Sequence, residues 1–287
     1  MKAVASDVLV VGGGIVGSSA AFFLRQLGRA VTLLERGLVG QQASGVNFGN
    51  IRRQGRPLEH LALSNRASIT WRRMNELVGE DVEHIAEGHV RVCYRDRPEI
   101  LDDFVTYARE ARIRGLDLEV VSGPALRRRF PFFGPEVLGG SYSPLDGHAN
   151  PRLAAPALAR AAKRNGATVV ENCEILNVER QGEDFCAASS DGRTFRAPIL
   201  LVTAGAWSNR FAAQFGETVP LASHGPTMCV TEPVPYSIRC AVGLVSPAKE
   251  EDLYFRQIPR GNIIIGGACA TRPIPMSAVP TCCRAIP

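Results

Sequence analysis

The sequence predicts an α/β fold: a parallel sheet that carries a dinucleotide-binding loop and is discontinuous along the chain, with a second domain built on a mixed sheet. Residues 8–11, VLVV, form an unbroken apolar run, the pattern of a strand buried on both faces of a parallel sheet. Glycines follow at once, and Gly12, Gly14 and Gly17 satisfy G-x-G-x-x-G. A helical pattern from Ile15 and a second apolar run at 30–34 complete a strand–helix–strand unit. Glu35 closes it, about 20 residues beyond the glycines.

Each part of this unit has a physical role. Gly12 permits the tight turn, Gly14 lets a pyrophosphate approach the backbone, and Gly17 lets the helix pack close to the strand. The free N–H groups at Ile15 and Val16, with the positive end of the helix dipole, would hold the diphosphate. Ala20, Ala21, Leu24 and Leu27 recur at helical spacing, and Gly28 stands where a C-terminal cap belongs. Glu35 is placed to accept hydrogen bonds from a ribose 2′-hydroxyl, and on this evidence NAD and FAD are both open.

Composition narrows the function class. A chain of 287 residues can bury one large or two ordinary domains. The net charge of +5 comes almost wholly from arginine, and runs such as Arg127, Arg128 and Arg129 read as a solvated face. No nucleic-acid motif accompanies them. The eight cysteines make no C-x-x-C pair and no metal-type spacing with the five histidines, so neither a metal site nor a disulfide framework is expected. No signal peptide or membrane span is legible, and a cytoplasmic location is expected.

Further along, residues 37–57 are rich in glycine and small polar residues over a length that a plain connection does not need, which points to a functional loop. A helical segment is expected over 58–78, its apolar residues Leu61, Leu63, Ile69, Trp71, Met74, Leu77 and Val78 in the core. His60 and His84 have no partners at ligand spacing. A strand at 88–94, a helix at 97–115 and a short strand at 119–121 follow. Residues 130–150 read as a turn-rich crossing between domains, with His148 a turn residue, as is His224 later. Asn150 can cap a helix with Pro151 at its first position, and Gly166 ends that helix. Strands are expected at 167–170, 174–178, 193–196 and 199–203, the last running into Ala204, Gly205, Ala206 and Trp207 as a second close approach of backbone to ligand. Strands at 227–231, 253–257 and 262–265 suggest an antiparallel sheet with a substrate pocket.

Four stretches together resemble one family. They are VVGGGIVGSSAAFFL with LLER, QQASGVNFGN, the DGHANP helix entry, and LVTAGAWS with LYFRQIPRGNIIIGG. The chain resembles the FAD-dependent amino-acid and amine oxidoreductases of the D-amino-acid oxidase superfamily, nearest to sarcosine oxidase β-subunit-like and D-hydroxyproline dehydrogenase-like members. The resemblance implies FAD. Gly12, Gly14 and Gly17 would hold the pyrophosphate, Glu35 the adenosine ribose, and Arg36 would lie beside the adenine. Ser44, Gly45, Asn47 and Asn50 would run along the diphosphate, ribityl chain and flavin ring. Ile175 would contact the adenine through its backbone, and Ala204, Gly205 and Trp207 would close over the adenosine half.

The implied domains are an FAD-binding domain of residues 1–85 and 148–215 and a substrate domain of 86–147 and 216–267, with an irregular tail at 268–287. The implied chemistry is hydride removal from the carbon beside an amine nitrogen, delivered to flavin N5, on a D-amino acid, a D-proline-like or a sarcosine-like substrate. Such a site needs a cation for the substrate carboxylate, and Arg52, Arg53 and Arg256 are the candidates, with Tyr254 as a pocket tyrosine. Family members of the dehydrogenase type often work in hetero-oligomers with electron-transfer subunits. An NAD-linked dehydrogenase and a non-catalytic or partner-dependent subunit are the alternatives. The tail reads poorly as family sequence, and a shifted reading frame from Ala268 onward would give Arg-Met-Arg-Asp-Pro-Ala-Asp-Thr-Asp, which the coding DNA can test. Without the family's C-terminal segment, weak FAD binding or loss of turnover is expected.

Overall fold

In the computed structural model, which describes residues 4–223, 228–246 and 253–267, the VLVV run is an inner strand of a four-stranded parallel sheet. Val8–Val11 lies between Ile199–Val202 and Val31–Leu34, and Thr168–Val170 follows beyond Val31–Leu34. Both faces are covered, which is why the run is unbroken. On one face Val8, Val10 and Leu33 meet the helices Ile15–Gln26 and Pro151–Arg164 through Ala21, Phe22 and Leu158. On the other, Leu9, Val11 and Leu34 meet Ile175, Val178, Ala187 and Phe195. Those four residues belong to a smaller sheet of Ile175–Gln181, Asp184–Ser189 and Thr194–Ala197, with Val4–Ala5 added parallel at its edge. Each fully buried leucine or phenylalanine here contributes about 1.5–3 kcal/mol relative to exposure.

The helix ends follow local chemistry. Gly28 has φ +77° after Ile15–Gln26, the left-handed turn that only glycine adopts cheaply. The Asn150 side chain accepts the Arg152 N–H at 3.0 Å, and Pro151 opens the helix behind it.

A second, seven-stranded sheet runs in the order Met228–Val230, Ile263–Gly267, Leu253–Gln257, Ala241–Leu244, His89–Tyr94, Val137–Ser143, Glu119–Ser122. All its pairings are antiparallel except Ala241–Leu244 with His89–Tyr94. Register then sets the faces. Val90, Val92, Val242 and Phe255 pack with Leu126, Phe130 and Tyr142. The alternate positions, His89, Arg91, Gly243, Tyr254 and Arg256, share the other face. A two-stranded ribbon, Asn50–Ile51 with Gly147–His148, runs between the glycine-loop half and this second sheet.

Several expectations need correction. Residues 130–150 are not a simple crossing, because Val137–Ser143 is an inner strand of the seven-stranded sheet. Its Gly139–Gly140 pair, read as a turn, stands where neighbours press in: a Cβ on Gly140 would lie 2.5 Å from the Arg91 carbonyl oxygen. The second sheet is mixed as expected, and Met228–Val230, Ile263–Gly267 and Leu253–Gln257 pair antiparallel within it, but Ala241–Leu244, Asp184–Ser189 and the helix Gly123–Arg129 were not anticipated. The 58–78 segment breaks at Arg73 into Leu61–Arg72 and Met74–Val78. Leu63 (74% exposed), Ile69 (55%) and Leu27 (75%) face solvent instead of the core. The 227–231 strand is described only as Met228–Val230, and His224 and the 268–287 tail lie outside the described residues. Cys93, Cys173, Cys186 and Cys240 are buried free thiols, and Cys229 is an exposed one. No metal-type cluster occurs among the described residues, and no helix of theirs is long and apolar enough to cross a membrane.

Candidate functional site

The glycine loop is built by exclusion of side chains. Gly12 has φ +108°, and a Cβ there would sit 2.5 Å from the Thr203 carbonyl oxygen; at Gly17 it would sit 1.9 Å from the Gly12 carbonyl oxygen. Only glycine lets Ile15–Gln26 start this close to the strand end, so its unpaired N–H groups gather there. The Thr203 hydroxyl donates to the Gly12 carbonyl at 2.8 Å, tying the end of Ile199–Val202 to the same turn. Ala204 and the 3₁₀ turn Gly205–Trp207 follow directly.

Glu35 is oriented before any ligand arrives. Its two carboxylate oxygens accept the Gly13 N–H at 2.6 Å and the Gly37 N–H at 2.9 Å. Each oxygen keeps a further lone pair for a ribose hydroxyl. Next to it, the Arg36 guanidinium lies 4.3 Å from the Trp207 ring centroid, a cation–π contact that pins both side chains beside the loop. Ile175 is buried under this corner at the start of its strand, where the Cys173 N–H donates to the Glu35 carbonyl at 2.8 Å. Val16, at the helix start, is 65% exposed.

Residues 44–50 join the two halves of the site. The Ser44 hydroxyl accepts the Ile15 N–H at 2.9 Å, and a Cβ on Gly45 would lie 2.1 Å from the Gly40 carbonyl. Asn47 spends its side chain inside the loop: its amide donates to the Ala43 and Ser44 carbonyls at 2.9 Å, and its oxygen accepts the Gly49 N–H at 2.7 Å. At the far end the Arg256 Nε donates to the Phe48 carbonyl at 2.6 Å, and the Tyr254 ring packs edge-on against Phe48 with centroids 4.8 Å apart. Gly266 makes room for Tyr254, since a Cβ there would lie 2.2 Å from that ring.

The four substrate-side candidates therefore differ. Arg256 is 3% exposed and committed to Phe48 and to His148, whose Nδ1 accepts from its Nη1 at 2.9 Å. Burial lowers the Arg256 pKa to about 10, which still leaves it a cation at neutral pH. Arg53 is committed to Asp146, whose carboxylate accepts its Nε at 2.9 Å and its backbone N–H at 2.8 Å. Among the described residues Arg52 donates from Nη1 to the Gln54 carbonyl at 2.5 Å. Its pKa falls to about 10 through burial first and the nearby Arg56 and Arg91 second. Arg52 and Arg53 line a cavity of about 140 Å³ with Asn50, Arg56 and Trp71.

His148 is the residue that the sequence reading missed. Far from being a turn residue, it is 2% exposed, and burial with the adjacent Arg256 charge drives its pKa down to about 3. Its neutral ring accepts at Nδ1, so Nε2 carries the proton. The alternation of Asp146 and His148, two polar residues at period two just before the Asn150 cap, was the available signal.

Two observations fit these residues to a dinucleotide. Gly12 and Gly17 leave no room for a Cβ against the Thr203 and Gly12 carbonyl oxygens, so the helix start is brought bare up to the strand end, and the buried Asn50 Oδ1 has no hydrogen-bond partner among the described residues. The profile of the family described as DAO, FAD dependent oxidoreductase, matches residues 7–281. The chain belongs to this FAD-dependent oxidoreductase family. The cofactor is accordingly FAD, and the NAD-linked alternative falls away. The family match continues into residues 268–281, part of the tail that reads poorly by eye. An opine oxidase subunit of Rhizobium meliloti is 27% identical over 270 residues, covering 91% of this chain and 70% of that protein. Glycine oxidase of Geobacillus kaustophilus is 30% identical over 241 residues, covering 80% of this chain and 62% of that protein. Among solved structures, L-proline dehydrogenase from P.horikoshii superposes with a TM-score of 0.84 at 24% identity, over 93% of this chain and 70% of that chain. The chain thus spans between 62% and 70% of these relatives.

Proposed function

We propose that the chain is an FAD-dependent enzyme that oxidises the C–N bond of a small amino acid or secondary amine, such as a D-amino acid, a D-proline-like or a sarcosine-like compound. The reading draws on its family and on the names of its relatives, which act on glycine, proline and opines. One observation carries it. Residues 44–50 are held at one end by the helix N-terminus through Ser44 and at the other by Arg256 on the sheet face, so cofactor loop and substrate face are one mechanical unit.

Bound FAD supplies the two-electron acceptor. Gly12, Gly14, Gly17 and the Val16 N–H would hold its diphosphate together with the Ile15 N–H, whose present acceptor is the Ser44 hydroxyl, and Glu35 would hold its ribose, with Arg36, Ile175, Ala204, Gly205 and Trp207 around the adenosine and Ser44, Gly45, Asn47 and Asn50 toward the flavin. On the substrate side Arg52 is the carboxylate ligand, because Arg53 and Arg256 already serve Asp146 and Phe48. Arg53 and Arg256 are positioning residues, and Tyr254 with Phe48 forms an apolar wall. The same reading assigns residues 1–85 and 148–215 to an FAD-binding domain and 86–147 and 216–267 to a substrate domain.

The test is an anaerobic titration of the purified, FAD-loaded protein with sarcosine, D-proline, glycine and D-alanine. Bleaching of the flavin absorbance by one of them supports the reading. A second reading, a polypeptide that works only with an electron-transfer partner, is favoured by the opine oxidase relative, which is itself named as a subunit. Flavin that bleaches yet is reoxidised only when a partner fraction is added would select it.

A further inference from the structure

The cavity beside Asn50 has a charge imbalance that one substrate carboxylate does not explain. Arg52, Arg53 and Arg56 all line it, and the acid in its wall is Asp146. Asp146 is fully occupied: it is 1% exposed and accepts the Arg53 Nε, the Arg53 N–H and the Gln54 N–H, at 2.9, 2.8 and 3.1 Å. Of the three lining arginines only Arg53 is hydrogen-bonded to that acid, so Arg52 and Arg56 add two positive charges to the lining beyond the paired one. Arg52 is largely desolvated, and a cation in that state is stabilised by an anion that enters. Arg56 is an exposed residue of the lining. Asn50, at the end of the flavin-side loop, lines the same cavity, and its buried Oδ1 has no hydrogen-bond partner among the described residues. At about 140 Å³ the space equals the share of four or five waters, enough for a short carboxylate-bearing arm.

We infer that the preferred substrate is an amine flanked by two carboxylates, one held by Arg52 and the second by the exposed Arg56. This rests on the amine-oxidation reading above and adds the substrate's charge to it. A planar carboxylate suits either guanidinium as a two-pronged acceptor, whereas a single carboxylate would leave one cation unserved.

The test compares matched compounds that differ by one carboxylate. Diglycolate and methoxyacetate are ether analogues that cannot be oxidised, and their affinities for the FAD-loaded protein are read by calorimetry in a buffer without phosphate. Iminodiacetate and sarcosine, their amine counterparts, are compared by anaerobic flavin bleaching. Diglycolate should bind at least about tenfold tighter than methoxyacetate, as one extra charge-assisted contact implies. Arg56→Gln should bring that ratio close to one, and Arg56→Lys should restore part of it. Equal affinities for the two ethers, or a ratio untouched by Arg56→Gln, overturn the inference. If that happens in a sample that sarcosine bleaches, the amine-oxidation reading stands. If diglycolate wins while no amine bleaches the flavin, the second anion site stands and the amine-oxidation reading falls.

Discussion

At the scale of single residues, the site separates positions that exclude a side chain from positions that supply one. Gly17 is of the first kind. Gly17→Ala must move the Gly12 carbonyl, and overpacking of this sort costs roughly 1–3 kcal/mol, so FAD affinity should drop by about tenfold to a hundredfold in a titration of apoprotein. Arg256 is of the second kind. Arg256→Met leaves the Phe48 carbonyl and His148 Nδ1 buried without a donor, which should lower stability by roughly 2–4 kcal/mol in urea unfolding. His148 adds a pH dependence. Its folded pKa of about 3 lies far below the ordinary value near 6.5, so between these values the unfolded chain binds a proton that the folded chain excludes. Stability should therefore be flat above about pH 6.5 and fall as pH drops toward 3, by up to about 1.4 kcal/mol per unit from this group, and His148→Gln should flatten that slope. His89, neutral and buried at Gln54, acts with the same sign. The tight packing at Gly12 and Gly17 was legible because its constraint is local and steric. Arg256 was named for its charge, but only packing shows that its charge is already in use.

Among the elements, those with a strong local signature were legible and those defined by their neighbours were not. The Val8–Val11 strand, the Ile15–Gln26 helix and the Asn150-capped helix are all set by nearby residues. Asn150→Ala should cost about 1 kcal/mol of stability, with Asn150→Ser recovering most of it, as measured by the denaturant midpoint. The Val137–Ser143 strand was hidden because its two central glycines answer to Arg91 and Val121 across the sheet, a requirement that no local pattern states. The parallel pairing of Ala241–Leu244 with His89–Tyr94 is hidden for the same reason: about 150 residues separate the partners, and only the assembled sheet brings them together. The ribbon of Asn50–Ile51 and Gly147–His148 is two residues long on each side, too short for any periodicity, yet it places Asn50 and His148 side by side.

For the whole molecule, the parallel sheet offers a diphosphate cradle, the seven-stranded sheet offers a face with Tyr254 and Arg256, and residues 44–50 fasten one to the other. The family binds FAD, and the arginine-lined cavity beside Asn50 is the substrate anchor proposed above. The claim at the centre is that this fastened loop presents the flavin to an amine. The most direct measurement is the flavin spectrum of the purified, FAD-loaded chain under anaerobic titration with sarcosine, glycine, D-proline, D-alanine and iminodiacetate. Bleaching by at least one of these amines, and its loss in Arg52→Gln with FAD still bound, is the predicted result. A chain that binds FAD and keeps its oxidised spectrum at saturating concentrations of all five would contradict it.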